Sequence, residues 1–247
     1  MSHIEVILSF MIFLGAVGFA LYFFSPTNTS KLVDTSLDYV SREISNNITV
    51  SVTTYSVKIN NSDNQANSAG FLAINISGMC DNENNVARVE NLSGSILPSK
   101  IGPGNSKCKS SNDQVLIIAN SEWNAPEDFI YIKISEDFNE TGDEVTGSPT
   151  PNEYFYEIST TNSEIEFSEK RILILNKSYY ENYYGLKEDF NLPGRVNFGF
   201  SFVFADNSIV SEREVPNGLD VYSKVERVEV LRENGQVQYA DLVIKVW

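Results

Sequence analysis

The arrangement of apolar and polar side chains divides the sequence into three stretches with different periods. The first covers residues 4–24, and the nineteen residues from Val6 to Phe24 carry no charge. A helix of that length, rising about 1.5 Å per residue, measures roughly 28 Å, close to the hydrocarbon thickness of a bilayer. The pattern predicts a long hydrophobic N-terminal helix bordered by Glu5. A carboxylate beside such a segment needs a partner or water, which makes it a functional candidate.

This predicted helix contains small residues among its large apolar side chains, and a second predicted helix follows it. Gly15 and Gly18 lie three residues apart. Such a patch lets another helix approach closely, although tolerated flexibility in lipid is an equal alternative. Pro26 then disfavours a continuous helix. Beyond it, an apolar stripe at helical spacing predicts an amphipathic helix that packs on the domain behind it. The stripe consists of Val33, Leu37, Val40 and Ile44.

From residue 48 onward the apolar period changes to two, as expected for strands. We predict strands at 48–59, 71–76, 86–92, 115–119, 129–134, 154–158, 165–175, 196–204, 225–231 and 237–247. Asn234-Gly235 predicts a two-residue hairpin that places Val230 opposite Tyr239. Many short strands separated by Gly, Asn and Ser are typical of an antiparallel sandwich. The predicted fold class is therefore α+β: a long N-terminal hydrophobic helix (residues 1–46 with its amphipathic extension) followed by an all-β antiparallel sandwich head (residues 47–247).

Composition narrows the environment and the partners. The formal net charge of −15 argues against nucleic acid, whose phosphates would be repelled. We predict that the head lies outside the membrane, where one disulfide between Cys80 and Cys108 is the simplest interpretation and two free thiols the alternative. Seven Asn-x-Ser/Thr sequons fit a glycosylated surface, although an Asn-rich β-protein without glycan would look the same. They begin at Asn28, Asn47, Asn60, Asn75, Asn91, Asn139 and Asn176.

Catalytic and metal-binding patterns are weak. The one histidine, His3, lies at the N-terminal edge, so we predict neither a Ser-His-Asp site nor a histidine zinc site in the head. Asp137 opens a stretch that begins like a calcium loop, but Ser148 stands where a bidentate Glu is required. A solvated acidic loop is therefore expected, with a looser calcium site among Asp137, Asp143 and Glu144 as the alternative. We predict no enzyme activity, no catalytic residue, no metal and no cofactor. Tyr179, Tyr180, Tyr183 and Tyr184 form a dense aromatic group, either a contact or glycan-binding surface or a loop covering the sheet edge.

The first residues also suggest a family. They read Met-Ser-His-Ile-Glu-Val-Ile-Leu-Ser-Phe, with glutamate fifth in an apolar helix. This opening resembles the N-terminus of type IV pilins, in particular the archaeal pilins and archaellins. The resemblance covers about the first 45 residues. It implies a helix that enters a filament core, and it places Glu5 against the α-amine of Met1 in a neighbouring subunit. A carboxylate among apolar helices is tolerated chiefly when it is paired in this way.

Two functions of different classes follow. The first is a structural subunit of an extracellular type IV pilus-like filament for adhesion or motility, polymerising through its N-terminal helix. Its assembly residues would be Met1, Glu5, Gly15 and Gly18. Its partners would be copies of itself, a pilus assembly machinery and, before assembly, the membrane that anchors the helix at the cell surface. The alternative is a monomeric membrane-anchored extracellular β-domain that acts as an adhesin or binding module.

Overall fold

The computed structural model describes residues 3–23, 26–60, 71–101, 108, 114–118, 127–139 and 153–247. Four α-helices are present in these ranges: α1 (His3–Phe23), α2 (Pro26–Ile48), α3 (Glu169–Glu181) and α4 (Tyr183–Asp189). Pro26 suits the start of α2, because the N–H that proline lacks would have no partner inside the helix there. A single 3₁₀ turn (Glu153–Phe155) precedes strand β8.

The described strands form two sheets. They are β1 (Thr49–Asn60), β2 (Phe71–Asn75), β3 (Val86–Asn91), β4 (Ile96–Leu97), β5 (Ser99–Ile101), β6 (Gln114–Ile118), β7 (Glu127–Ser135), β8 (Tyr156–Ser168), β9 (Phe198–Val203), β10 (Ser208–Ser211), β11 (Tyr222–Leu231) and β12 (Val237–Val246). Nine of them pair in the order β10-β9-β12-β11-β8-β1-β7-β3-β4, and β2-β6-β5 form a separate sheet. All pairings are antiparallel except that between β8 and β11, which is parallel.

The fold class predicted from the sequence, a long hydrophobic N-terminal helix before an all-antiparallel sandwich, is wrong. The structure is mostly β, with 44% strand and 29% helix, and its main element is one curled sheet of nine strands. Within the described residues, neither the first helix nor any other meets the combined requirement of length and hydropathy for a bilayer crossing. The sandwich fails because helices, and not a second large sheet, cover half of the nine-stranded sheet.

Two cores result from the two kinds of cover. In the sheet-covered core, side chains of β1, β3 and β7 pack against those of the three-stranded sheet, for example Val57 and Ile132 against Leu72 and Ile117. In the helix-covered core, side chains of α2, α3 and α4 pack against β9, β11 and β12. A small cluster containing Val50, Val52, Val86, Phe138 and Leu231 lies between them. The nine-stranded sheet therefore carries two different layers along its length.

Helix α3 corrects the predicted strand at 165–175. Residues 165–168 complete β8, and the Ser168 side chain then accepts a hydrogen bond from the Arg171 N–H, which caps a helix. The buried residues Ile172, Leu175 and Tyr179 follow helical spacing. The continuous apolar run from residue 172 to 175 therefore belongs to a helix with two of its four side chains exposed.

The last hairpin forms at the predicted position, but its register differs from the predicted one. Val230 pairs with Gln238, and Glu229 is the residue opposite Tyr239. The Arg232 N–H donates to the Gln236 carbonyl, so three residues form the loop instead of two. Gly235 has φ +82°, as expected for the left-handed residue that ends such a three-residue loop.

Candidate assembly surface

Helix α1 exposes large apolar side chains in every direction. Val6, Ile7 and Leu8 are 57%, 64% and 61% exposed, and consecutive helical residues point about 100° apart. Eleven large apolar side chains between residues 6 and 21 are exposed in this way. On a protein surface in contact with water, a contiguous apolar patch of this kind marks a site of association with another molecule. The side chains of α1 are therefore the most extensive candidate surface for assembly.

Two of the four predicted assembly residues, Gly15 and Gly18, lie in the described part of α1. Met1 and the side chain of Glu5 fall outside the described residues, so their predicted pairing remains a prediction. Gly15 and Gly18 belong to α1, and a Cβ added at either glycine would meet no described heavy atom within 4 Å. Packing within the described chain therefore gives no reason for glycine at these positions, whereas a close helix from another molecule would.

Helix α2 attaches to the head through its apolar stripe. Leu37, Val40 and Ile44 are buried among residues of β9, β11 and β12, which confirms that the stripe packs on the head; the side chain of Val33 lies outside the described residues. Lys224 of β11 adds an ion pair with Asp38, at 3.2 Å between Nζ and Oδ1. The end of α2 therefore has a fixed place on the helix-covered core.

The predicted disulfide is confirmed. Cys80 and Cys108 are bonded, with 5.1 Å between their Cα atoms and a sequence separation of 28. Both belong to the sheet-covered core, and the Cys108 N–H donates to the Asn85 carbonyl at 2.9 Å. The bond ties the segment that follows β2 to the chain between β5 and β6.

The sequon asparagines differ in how free their amide groups are. Asn47, Asn60, Asn75 and Asn139 are exposed, Asn91 and Asn176 are half-buried, and the side chain of Asn28 lies outside the described residues. The Asn176 amide donates to the Val210 carbonyl and to the Ser211 hydroxyl, both at 2.7 Å. A glycan on Asn176 would replace one hydrogen of this amide and would break at least one of these bonds. Glycosylation at the seven positions stays a prediction, with Asn176 the least favourable site.

An ion network that sequence reasoning missed joins the two halves of the head. Arg171 of α3 binds Asp137 (Nε to Oδ2, 2.7 Å) and Glu136 through its guanidinium and also donates to the Thr49 carbonyl. Asp137, the first residue of the rejected calcium loop, is therefore a structural ion-pair partner. The residues of that loop beyond 139 lie outside the described part of the chain. Since 34 positions separate Asp137 from Arg171, no local pattern indicates the pair.

The tyrosine group is split between core and surface. Tyr179 and Tyr183 are buried in the helix-covered core, whereas Tyr180 and Tyr184 are 54% and 74% exposed. The Tyr179 hydroxyl donates to the Phe198 carbonyl at 2.8 Å. Burial raises the pKa of the phenols of Tyr179 and Tyr183. The group lies on two short helices, so both interpretations offered from the sequence, an exposed aromatic surface and a covering loop, need correction.

In the described ranges, no group of three His, Cys, Asp or Glu side chains is arranged to hold a metal ion. Comparison with known proteins adds no family: no family model, no curated protein and no solved structure matches the chain. The exposed apolar side chains of α1 and the packing of α2 on the head are the features that bear on function.

Proposed function

We propose that the protein is the structural subunit of an extracellular filament, in which copies of α1 pack together and the β-rich head faces outward. The exposed apolar surface of α1 is the observation that carries this proposal. Burying one Val, Leu, Ile, Phe or Met side chain stabilises by about 1.5–3 kcal/mol, and eleven such side chains are available. A helix that is apolar on all sides is normally surrounded, and identical helices can surround one another.

The resemblance of the N-terminal sequence to type IV pilins supports the same function. It suggests that Glu5 pairs with the α-amine of Met1 in a neighbouring subunit, and that Gly15 and Gly18 permit close contact between helices. The net charge of −15 fits heads that remain soluble on the outside of such an assembly. A single helix holding a monomeric head at a lipid surface is the competing function.

Assembly of the full chain tests the proposal. Electron microscopy and sedimentation should detect filaments for the unaltered chain and none for Ile12→Asp/Phe13→Asp, because two charges in the helix contact are strongly unfavourable. Tyr184→Asp, which places a charge on an exposed tyrosine of the head, is the matched control and should assemble normally. Glu5→Ala should also abolish assembly. Monomers of the unaltered chain at a lipid surface, with Glu5→Ala unchanged, would contradict the proposal.

A further inference from the structure

Within the nine-stranded sheet, strands β8 and β11 pair with each other only at their C-terminal ends. These strands pair at Val230 with Phe167 and at Leu231 with Ser168, and nowhere else. By contrast, β8 pairs with β1 along Thr49–Ile59, and β11 pairs with β12 along its whole length. Among the described residues, positions 156–166 of β8 and 222–229 of β11 therefore have one unpaired edge each. The two open edges face a common gap that starts at the junction.

This gap is an open groove of about 590 Å³ with two chemically different sides. Its lining residues are Glu164, Ile165, Glu166, Phe167, Val228 and Glu229. Side chains alternate along a strand, and Glu166 and Glu164 lie opposite the inward-facing Val50 and Val52 of β1. Since the junction pairs Leu231 with Ser168, Glu229 shares this face of the sheet, while the three apolar lining residues share the other face.

The three carboxylates of the groove form no salt bridge within the described residues, although Asn162 donates a hydrogen bond to Glu164 at 2.7 Å and Tyr239 donates one to Glu229. Burial and the nearby Glu229 and Glu164 raise the pKa of the Glu166 carboxyl, against a smaller opposing effect of Lys133. On the opposite face, Ile165 is 77% exposed although it belongs to a strand at the middle of the sheet. The groove thus combines unpaired backbone edges, acidic side chains that form no salt bridge within the described residues, and exposed apolar surface.

We propose that the gap between β8 and β11 binds an extended segment of a partner protein, in which cationic residues alternate with apolar ones, as an added strand. An extended peptide can use its backbone N–H and C=O groups on an open strand edge, and its alternating side chains then fall on the two faces of the sheet. Cations on one face meet the three glutamates. Apolar residues on the other face cover Ile165 and Val228.

The charge of the groove decides which occupant is favoured. A second copy of this chain carries a net charge of −15, which opposes its approach to a groove lined by three carboxylates. A cationic segment is attracted to them at long range and gains hydrogen-bonded ion pairs on docking. The partner is therefore a different protein with a basic, extended segment, and this interaction is independent of filament formation through α1.

The probe is a fluorescently labelled octapeptide of alternating Lys and Val, titrated with the full chain and followed by anisotropy. Two peptides of equal charge serve as controls: one with four Lys followed by four Val, and one in which Pro replaces each Val. Neither control can place cations on one face and donate regularly to a strand edge. We expect the alternating peptide to bind about tenfold more tightly than either control.

Variants locate the site. Glu164→Gln/Glu166→Gln/Glu229→Gln should weaken binding of the alternating peptide about tenfold or more. The matched variant Glu83→Gln/Glu181→Gln/Glu214→Gln removes the same charge from exposed positions elsewhere and should change binding less than twofold. Amide exchange should slow at 156–166 and 222–229 when the peptide is bound. Equal binding of all three peptides, an equal loss in both variants or no binding by any peptide would overturn the proposal, and thermal melting of both variants verifies that they fold.

Discussion

The two halves of the head solve the same packing problem with different side chains. The sheet-covered core is mainly aliphatic, and the Cys80–Cys108 bond lies within it. The helix-covered core contains five fully buried large aromatic side chains, namely Tyr179, Phe190, Phe198, Phe200 and Phe202. β-Branched residues fit the pleated surfaces of two stacked sheets. Rings fill the larger irregular spaces between helices and a sheet, and their contacts add to the area that they bury.

The comparison also shows how the halves are held together. Both halves contribute strands to the same nine-stranded sheet, but β8 and β11, which join them, form only two residue pairs. Arg171 of α3 and its partners Glu136, Asp137 and Thr49 add a polar connection across the same region. We therefore expect that changes within a core act mostly on that half, and that changes at Arg171 act on both.

The largest loss of stability is expected from Phe200→Ala. The Phe200 ring is fully buried and contacts Tyr179, Phe198 and Phe202, with centroids 5.7, 6.5 and 6.2 Å away. Removing it should cost about 3–5 kcal/mol, from lost burial and the cavity left behind. Chemical denaturation measures the change, and Tyr184→Ala, at an exposed ring, should cost less than about 0.5 kcal/mol. A loss below about 1 kcal/mol for Phe200→Ala would mean that the rings do not organise this core.

Removing the disulfide should destabilise the other half. Cys80→Ala/Cys108→Ala opens a loop with a sequence separation of 28. The unfolded chain then gains conformational entropy, which should lower the free energy of unfolding by about 3–4 kcal/mol. Hydrogen exchange should show faster opening in β2, β3 and β6, while amides of β9 and β12 keep their protection. The unaltered chain in reductant is the control. Equal loss of protection in all five strands would show that the two halves unfold as one unit.

Arg171→Ala tests the connection between the halves. Asp137 has only 9% of its side chain exposed, so the loss of Arg171 leaves a nearly buried carboxylate without its closest partner. We expect a loss of about 2–3 kcal/mol, less than for a fully buried pair because Arg171 itself is partly exposed. Lys177→Ala, which breaks an exposed i,i+4 pair with Glu181, should cost less than about 0.5 kcal/mol. If Arg171→Ala lowers protection only in α3, the connecting role is wrong.

The sequence predicts the strands better than their assembly. Alternation places β1, β3, β7 and β9 close to their observed positions, because apolar residues recur at every second position on the face that packs in the core. It fails at residues 172–175, where four consecutive apolar residues fit a strand and a helix equally well, and the Ser168 cap decides. The order of strands depends on contacts between distant residues, so the nine-stranded sheet could not be predicted.

The candidate surfaces also differ in whether a local sequence pattern or the order of strands forms them. The exposed apolar residues of α1 and the two cysteines are visible in the sequence as a continuous run and as a pair. The groove between β8 and β11 is not visible, because Glu166 and Glu229 become neighbours only through the order of strands. Likewise, the tyrosines of α3 and α4 have the same local composition, and only packing on β9 distinguishes the buried pair from the exposed pair.

The smallest expected effect is a loss of folding stability at alkaline pH, which should come from the helix-covered core. Burial raises the pKa of Tyr179 and Tyr183 in the folded state, whereas unfolded tyrosine ionises near pH 10. A folded pKa above the unfolded one gives stability that is complete below pH 10 and is lost as pH rises beyond it. The loss should be on the order of 1 kcal/mol per tyrosine at pH 10.5. Denaturation at pH 8 and 10.5 measures it, and Tyr179→Phe/Tyr183→Phe should remove most of this dependence. Retention of the full dependence in that variant would assign it to groups outside the helix-covered core.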